Sequence, residues 1–209
     1  RLGRSFYSPS SKGIYMTIAF KPNFDLERIL LMTPLAAVAV CKAFEEVAGV
    51  QPKIKWVNDI YLQEQKVCGI LTEAESDIDS GNIGKIIVGI GINCFEQEFP
   101  DDIKDRATFI KNPSKYYDRN TLIASLTNKF FELLDNLDNT TLMNEYKSRS
   151  MLLGQTVLIY GTNHSALPEN GGKGIKAKAI DIDENGGLVV EYLEGPMINR
   201  IESITSGEV

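Results

Sequence analysis

The chain has 209 residues, 43% hydrophobic and 24% charged, which suits one good-sized globular domain plus a small one. Its net charge of -6 argues against the basic stripe of a general nucleic-acid surface, and no apolar run reaches the ~18 residues of a membrane span. Cys41, Cys68 and Cys94 share no metal-ligand spacing and lie in apolar surroundings, so buried free thiols in a reducing, cytoplasmic setting are expected. The single histidine, His164, falls in a polar loop, which nearly excludes a histidine-based triad or zinc site.

The chain opens at Arg1 without a methionine or a secretion signal and reads as the continuation of something upstream. Arg1-Leu2-Gly3-Arg4-Ser5-Phe6 is a flexible cationic loop: Gly3 lets the backbone bend, and Arg1 and Arg4 either grip an anion or are a solvated terminus. A polar turn follows, then a strand over Ile14–Phe20, rich in β-branched and aromatic residues. Residues 25–48 are helical by composition, with Thr33 as N-cap, Pro34 at the first helical position and Gly49 as a stop. Leu35, Val38, Ala39 and Val47 make a core stripe on that helix.

Two apolar runs, 54–62 and 66–73, flank Gln63-Glu64-Gln65 and predict a hairpin. Lys55, Asp59 and Lys66 fall at strand edges or interrupt a run. Because an unpaired buried charge is expensive, they either reach solvent at strand ends or together form a site for an anionic ligand. After a turn-rich link at 77–82, Lys85–Asn93 is an apolar strand with Gly89 and Gly91 inside it. A dinucleotide fingerprint needs a third glycine and an immediate helix, and both are missing. Glycines within a strand admit either a ligand or a closely packed helix.

Residues 95–117 read as an acidic loop. A helix over 118–136 follows, with Leu122, Leu126, Phe130, Leu134 and Leu137 at steps of three and four. A short helix over 141–150 contains Tyr146 and Arg149; both helices are expected to cover the core and carry solvated charges. From Met151 the texture changes to short strands at 156–160, 174–180, 187–192 and 198–204, with Asp183-Glu184-Asn185-Gly186 as a hairpin turn. A small barrel is expected there, giving domains at 1–150 and 151–209. A peptide-binding module is the competing reading, without an aromatic groove to support it.

Several of these stretches, in this order, resemble the biotin protein ligases: Arg1-x-Gly3-Arg4, Lys12-Gly-Ile-Tyr-Met-Thr17, Lys55-Trp-x-Asn58-Asp59, Lys66-Val-Cys-Gly-Ile-Leu-x-Glu73, Gly89-x-Gly91-Ile-Asn93 and the terminal small strands. Val57 stands where the family usually has proline. The resemblance implies an α+β fold: a mixed, largely antiparallel sheet with helices, like a class II synthetase core, then an SH3-like barrel. It implies a ligase that activates biotin with ATP to biotinyl-5'-AMP and transfers biotin to a lysine of a biotin carboxyl carrier protein domain, with Mg2+ accompanying the nucleotide.

By position in those motifs, Lys66 would contact the biotin carboxylate and bridging phosphate, Lys55 would hold phosphate, and Arg1, Gly3 and Arg4 would close over the intermediate. Asp59 would assist the metal, orient Lys66 or take the proton of the incoming lysine. No direct protein ligand to a metal is implied, apart from this role of Asp59. Phe6 would stack on adenine, Asn58 and Asn93 would meet the nucleotide, and Gly69, Gly89 and Gly91 would give backbone access. A homodimer through a sheet edge fits the family; nucleic-acid binding is not expected of this part, although some relatives carry a DNA-binding segment upstream. Two alternatives stand beside this reading: a lipoate-type acyl-adenylate ligase, and a non-catalytic binding or regulatory protein. The second is motivated by family pocket elements that would precede Arg1.

Overall fold

The computed structural model describes residues 6–24, 26–76, 83–112, 115–160 and 174–205. Arg1, Gly3 and Arg4, the link at 77–82 and His164 lie outside the described residues.

Alternation builds the first sheet. Strands β1 (Gly13–Phe20), β2 (Lys53–Lys55), β3 (Asp59–Leu62), β4 (Gln65–Ser76) and β5 (Ile83–Asn93) pair antiparallel in the order β1-β5-β4-β3-β2. Ile14, Ile18, Ile54, Ile60, Cys68, Ile70, Ile86, Val88, Ile90 and Ile92 are buried on one face, as a half-covered sheet requires. The intervening residues occupy the opposite face, and there the site is built.

The run 54–62 is not one strand. It turns back at Trp56-Val57-Asn58, where the Trp56–Val57 peptide is cis, so that β2 and β3 form their own hairpin with Lys55 opposite Asp59. Long-range partners hold this fold-back: the Ile54 amide donates to the Arg149 carbonyl (2.8 Å), and the Met151 amide donates to the Ile54 carbonyl (3.0 Å). The gap between β3 and β4 narrows to Gln63-Glu64, with Gln63 in the left-handed region at φ 57°.

The expected helical stretch is three pieces: a 3-10 segment (Leu26–Leu31), α1 (Met32–Ala43) and a π turn (Phe44–Ala48), stopped by Gly49 at φ 67°. Thr33 is not the N-cap. Leu31 and Met32 are fully buried, so packing begins the helix before the local cap signal, and the Thr33 hydroxyl instead donates to Thr72 Oγ1 (2.8 Å). Pro34 is tolerated because the first four amides of a helix have no intrahelical acceptor. α1 is buried nearly all round rather than along one stripe. Burial of Leu35 or Val38 contributes roughly 1.5–3 kcal/mol, which exceeds the ~0.7 kcal/mol that a poor helix former such as valine costs.

α2 (Arg119–Asp135) and α3 (Asn139–Ser148) begin at Asp118 and Asp138, whose carboxylates accept the Thr121 and Thr141 amides at 2.8 Å. These bonds hold both carboxyls below the usual range. Arg149, just beyond α3, corrects the expectation of solvated charges: its side chain is only 14% exposed. It bonds Glu45 (2.5 and 3.1 Å) and Glu145 (2.5 and 2.9 Å), and so ties the end of α3 to the π turn.

The second sheet comprises β6 (Thr156–Ile159), β7 (Ile175–Ile182), β8 (Leu188–Tyr192) and β9 (Ile201–Ile204), antiparallel and in chain order. Val157, Ile159, Ala177, Ala179, Leu188, Val190, Tyr192 and Ile204 fill its inner face. The predicted turn at Asp183–Gly186 forms: Asp183 Oδ1 accepts the Asn185 and Gly187 amides (2.9 and 2.8 Å), and Gly186 takes φ 83°. β9 starts later than predicted, because a 3-10 turn (Gly195–Met197) and a left-handed Asn199 precede it. The Trp56 indole donates to the Gly186 carbonyl (2.8 Å), and Lys147 pairs with Asp181 (2.8 Å), so the second sheet is fastened to the first layer. No helix among the described residues is long and apolar enough to cross a membrane.

Candidate ligand-binding site

The strand register sets one residue from each strand in a row across the open face of the first sheet: Tyr15, Gly91, Gly69, Asp59, Lys55. Thr17, Gly89 and Leu71 form the next row on that face. Two glycines at the centre of a row leave backbone as the floor of a trough, with Tyr15 on one bank and Asp59 and Lys55 on the other. A Cβ on Gly91 would stand 3.0 Å from the Phe6 ring, and one on Gly69 would stand 3.3 Å from both Phe6 and the Lys66 Nζ. The glycines therefore seat these two side chains, which a larger residue would displace. Gly89 has ordinary room, with its nearest neighbour atom at 3.7 Å.

The trough opens into a cleft of about 700 Å³, within the range of small-molecule sites. Phe6, Lys55, Asn58, Asp59, Lys66, Gly69, Gly89, Gly91 and Asn93 all line it. The sequence separated these residues widely, and the register gathers them. Arg1, Gly3 and Arg4 lie outside the described residues. Phe6 rests on the glycine floor and meets Tyr15 edge-on, with ring centroids 6.2 Å apart.

Lys66 Nζ pairs with Asp59 at 2.6 Å, both side chains partly exposed. Its backbone is clamped from the other side: its amide donates to the Arg106 carbonyl and its carbonyl accepts the Thr108 amide, both at 2.8 Å. Asn58 Nδ2 donates to the Ile70 carbonyl (2.6 Å), holding the β2–β3 turn against β4. Asn93 is buried, and its Nδ2 donates to the Thr108 carbonyl (2.9 Å). Its Oδ1 is buried with no donor among the described residues. Thus the Nδ2 groups of both asparagines are used in holding the site together.

Sequence reasoning missed Tyr15, Tyr61 and Arg106, which also line the cleft. Tyr15 was recoverable, since it alternates with the buried Ile14 on a predicted strand; Arg106 lies in a loop with no periodic signal. Burial raises the Tyr15 and Tyr61 hydroxyls; Cys94 adds to the first effect, and Asp59 to the second. The three cysteines are buried free thiols. Burial pushes Cys41 and Cys94 up to about 12 and Cys68 well above its ordinary value, so no thiolate is available as a nucleophile. Among the described residues no cluster of three or more His, Cys, Asp or Glu could hold a metal, and Asp59 is the one carboxylate lining the cleft.

Residues 1–93 match the model of the biotin/lipoate A/B protein ligase family, and residues 167–209 match that of the biotin protein ligase C terminal domain. The chain is 34% identical to the bifunctional ligase/repressor BirA of Bacillus subtilis (strain 168) over 198 residues, covering 93% of this chain and 58% of that one. It is 24% identical to BirA of Escherichia coli (strain K12), covering 91% of this chain and 57% of the relative. The chain thus spans under three-fifths of these curated relatives. The Aquifex aeolicus biotin protein ligase solved in complex with biotin and ATP superposes with a TM-score of 0.75 at 32% identity, covering 100% of this chain and 81% of that one.

Proposed function

The chain belongs to the biotin protein ligase family, and from that premise we propose that it carries the catalytic part of an ATP-dependent, AMP-forming ligase acting on a carboxyl carrier protein. In the first step a biotin carboxylate oxygen bonds to the α-phosphorus of ATP, the bond to the bridging oxygen breaks, and pyrophosphate leaves. In the second, a carrier lysine amine attacks the acyl carbon, loses a proton, and AMP departs with the bonding pair.

The observation that carries this reading is the Lys66–Asp59 pair, 2.6 Å apart, beside a glycine floor in a cleft of small-molecule size. Two anions repel as they approach, and a fixed cation at the point of charge development lowers that barrier. Lys66 fills that role, held by Asp59 in front and by the Arg106–Thr108 backbone behind. Lys55, at the end of the same row, faces the phosphates. The cleft beside the Phe6 ring, between Tyr15 and Asp59, suits a flat, mostly apolar ligand.

A magnesium ion accompanying the nucleotide would rest mainly on phosphate oxygens, because Asp59 is the one carboxylate among the described residues lining the cleft and Lys66 already engages it. Residues 1–150 serve as the ligand-binding domain and 151–209 as a second domain fastened through Trp56; both work in the cytoplasm. The test is to incubate the natural-length protein with a purified carrier domain, biotin and MgATP. Labelling of the carrier lysine that needs both biotin and ATP is expected; no labelling, or labelling by lipoate instead, contradicts the reading.

A further inference from the structure

The cleft holds Lys55, Lys66 and Arg106 against one carboxylate, Asp59. Lys66 takes that carboxylate at 2.6 Å. Neither Lys55 nor Arg106 has an ion-pair partner among the described residues, and the Arg106 Nη2 donates only to the Asp102 carbonyl (2.6 Å). In a chain of net charge -6, two cations in one cleft without an ion-pair partner among the described residues are a local excess that a ligand is suited to neutralise.

The Arg106 side chain is exposed, but the backbone that carries it is braced. Its carbonyl accepts the Lys66 amide, Ala107 bridges to Lys66 in parallel fashion, and the Gln65 side-chain amide donates to the Asp105 carbonyl (3.3 Å). Ile103, at the start of the same turn, accepts the Arg106 and Ala107 amides at 2.9 Å. The guanidinium is thus carried on a braced turn beside the reacting lysine, with donors left for a second partner. Its planar fork matches phosphate oxygens in pairs, as a lysine cannot.

Resting on the reading proposed above, the geometry points to Arg106 as a residue that binds the β,γ-diphosphate of the nucleotide and the pyrophosphate it becomes. The diphosphate is the most highly charged part of the reactants, and Arg106 with Lys55 supplies the unpaired charge, whereas Lys66 serves the reacting carboxylate. Arg106 therefore acts in adenylation and not in transfer.

The test compares wild type with Arg106→Gln and Arg106→Lys in the natural-length protein. Inorganic pyrophosphate binding is measured by calorimetry, together with KM for ATP, KM for biotin, and transfer from supplied biotinyl-AMP to the carrier. For Arg106→Gln, pyrophosphate affinity is expected to fall and KM for ATP to rise by about 10- to 100-fold, as for loss of a charge-assisted hydrogen bond. Biotin KM and transfer stay unchanged, and Arg106→Lys recovers part of the loss. Unchanged pyrophosphate affinity overturns the assignment, as does an equal loss in transfer, which would mark a merely structural role. Pyrophosphate binding that depends on Arg106 in a protein that forms no adenylate would uphold the anion site and sink the ligase reading.

Discussion

Replacing Lys66 with alanine is expected to cut biotinyl-adenylate formation by about 10²–10³-fold, the usual cost of removing one preorganised charge-stabilising donor. The fold is expected to survive. The Lys66 side chain is a third exposed, and the backbone bonds to Arg106 and Thr108 do not depend on it. Asp59 loses its partner but keeps access to water, so the damage falls on chemistry rather than stability. Biotin-dependent exchange of pyrophosphate into ATP measures it directly, with circular dichroism as the folding control. Adenylate formation at the wild-type rate by a folded Lys66→Ala protein removes this residue from the mechanism.

The largest stability effect is expected at Arg149, far from the reacting atoms. Its guanidinium joins Glu45 and Glu145 through four hydrogen bonds. Those bonds lower the Glu145 carboxyl and hold the arginine firmly protonated. Arg149→Leu leaves two carboxylates facing each other in a half-buried crevice. A fully buried pair broken on one side costs roughly 3–5 kcal/mol; with Glu45 and Glu145 near 30% exposed, about 2–3 kcal/mol is expected. Urea unfolding followed by tryptophan fluorescence reads the loss. A change below about 0.5 kcal/mol, the scale of an ordinary surface substitution, would show that the cluster is solvent-screened and structurally idle.

Much of the fold was legible because strand alternation is local. Ile14–Phe20, the Gly89-x-Gly91 strand and the Asp183–Gly186 turn each announce themselves within ten residues, and the structure forms them there. The failures share a cause. Thr33 before Pro34 is a sound cap signal, yet burial of Leu31 and Met32, decided by distant partners, starts the helix earlier. The apolar run 54–62 looks like one strand because nothing within it shows that Arg149 and Met151 will claim Ile54. Arg149 itself reads as a solvated helix end, since Glu45 lies 104 residues away.

The site divides in the same way. The charges on the central hairpin and the paired glycines are visible as oddities against their apolar neighbours, and the family resemblance orders them. Their alignment into one row from Tyr15 to Lys55 depends on the register of five strands, which no single segment encodes. Arg106 enters the cleft beside the bridge between Lys66 and Ala107, 41 residues apart, and carries no mark in the sequence.

The central claim, that the row of Tyr15, Gly91, Gly69, Asp59 and Lys55 floors a site where biotin and ATP react, is tested most directly by the native mass of the natural-length protein. The mass is taken after incubation with biotin, ATP and magnesium, and again with each left out. A gain matching biotinyl-adenylate is predicted when all are present, and it should vanish in Lys66→Ala. A protein that retains ATP or biotin separately but never the adenylate would contradict the claim, and the cleft would then be a binding site without the chemistry.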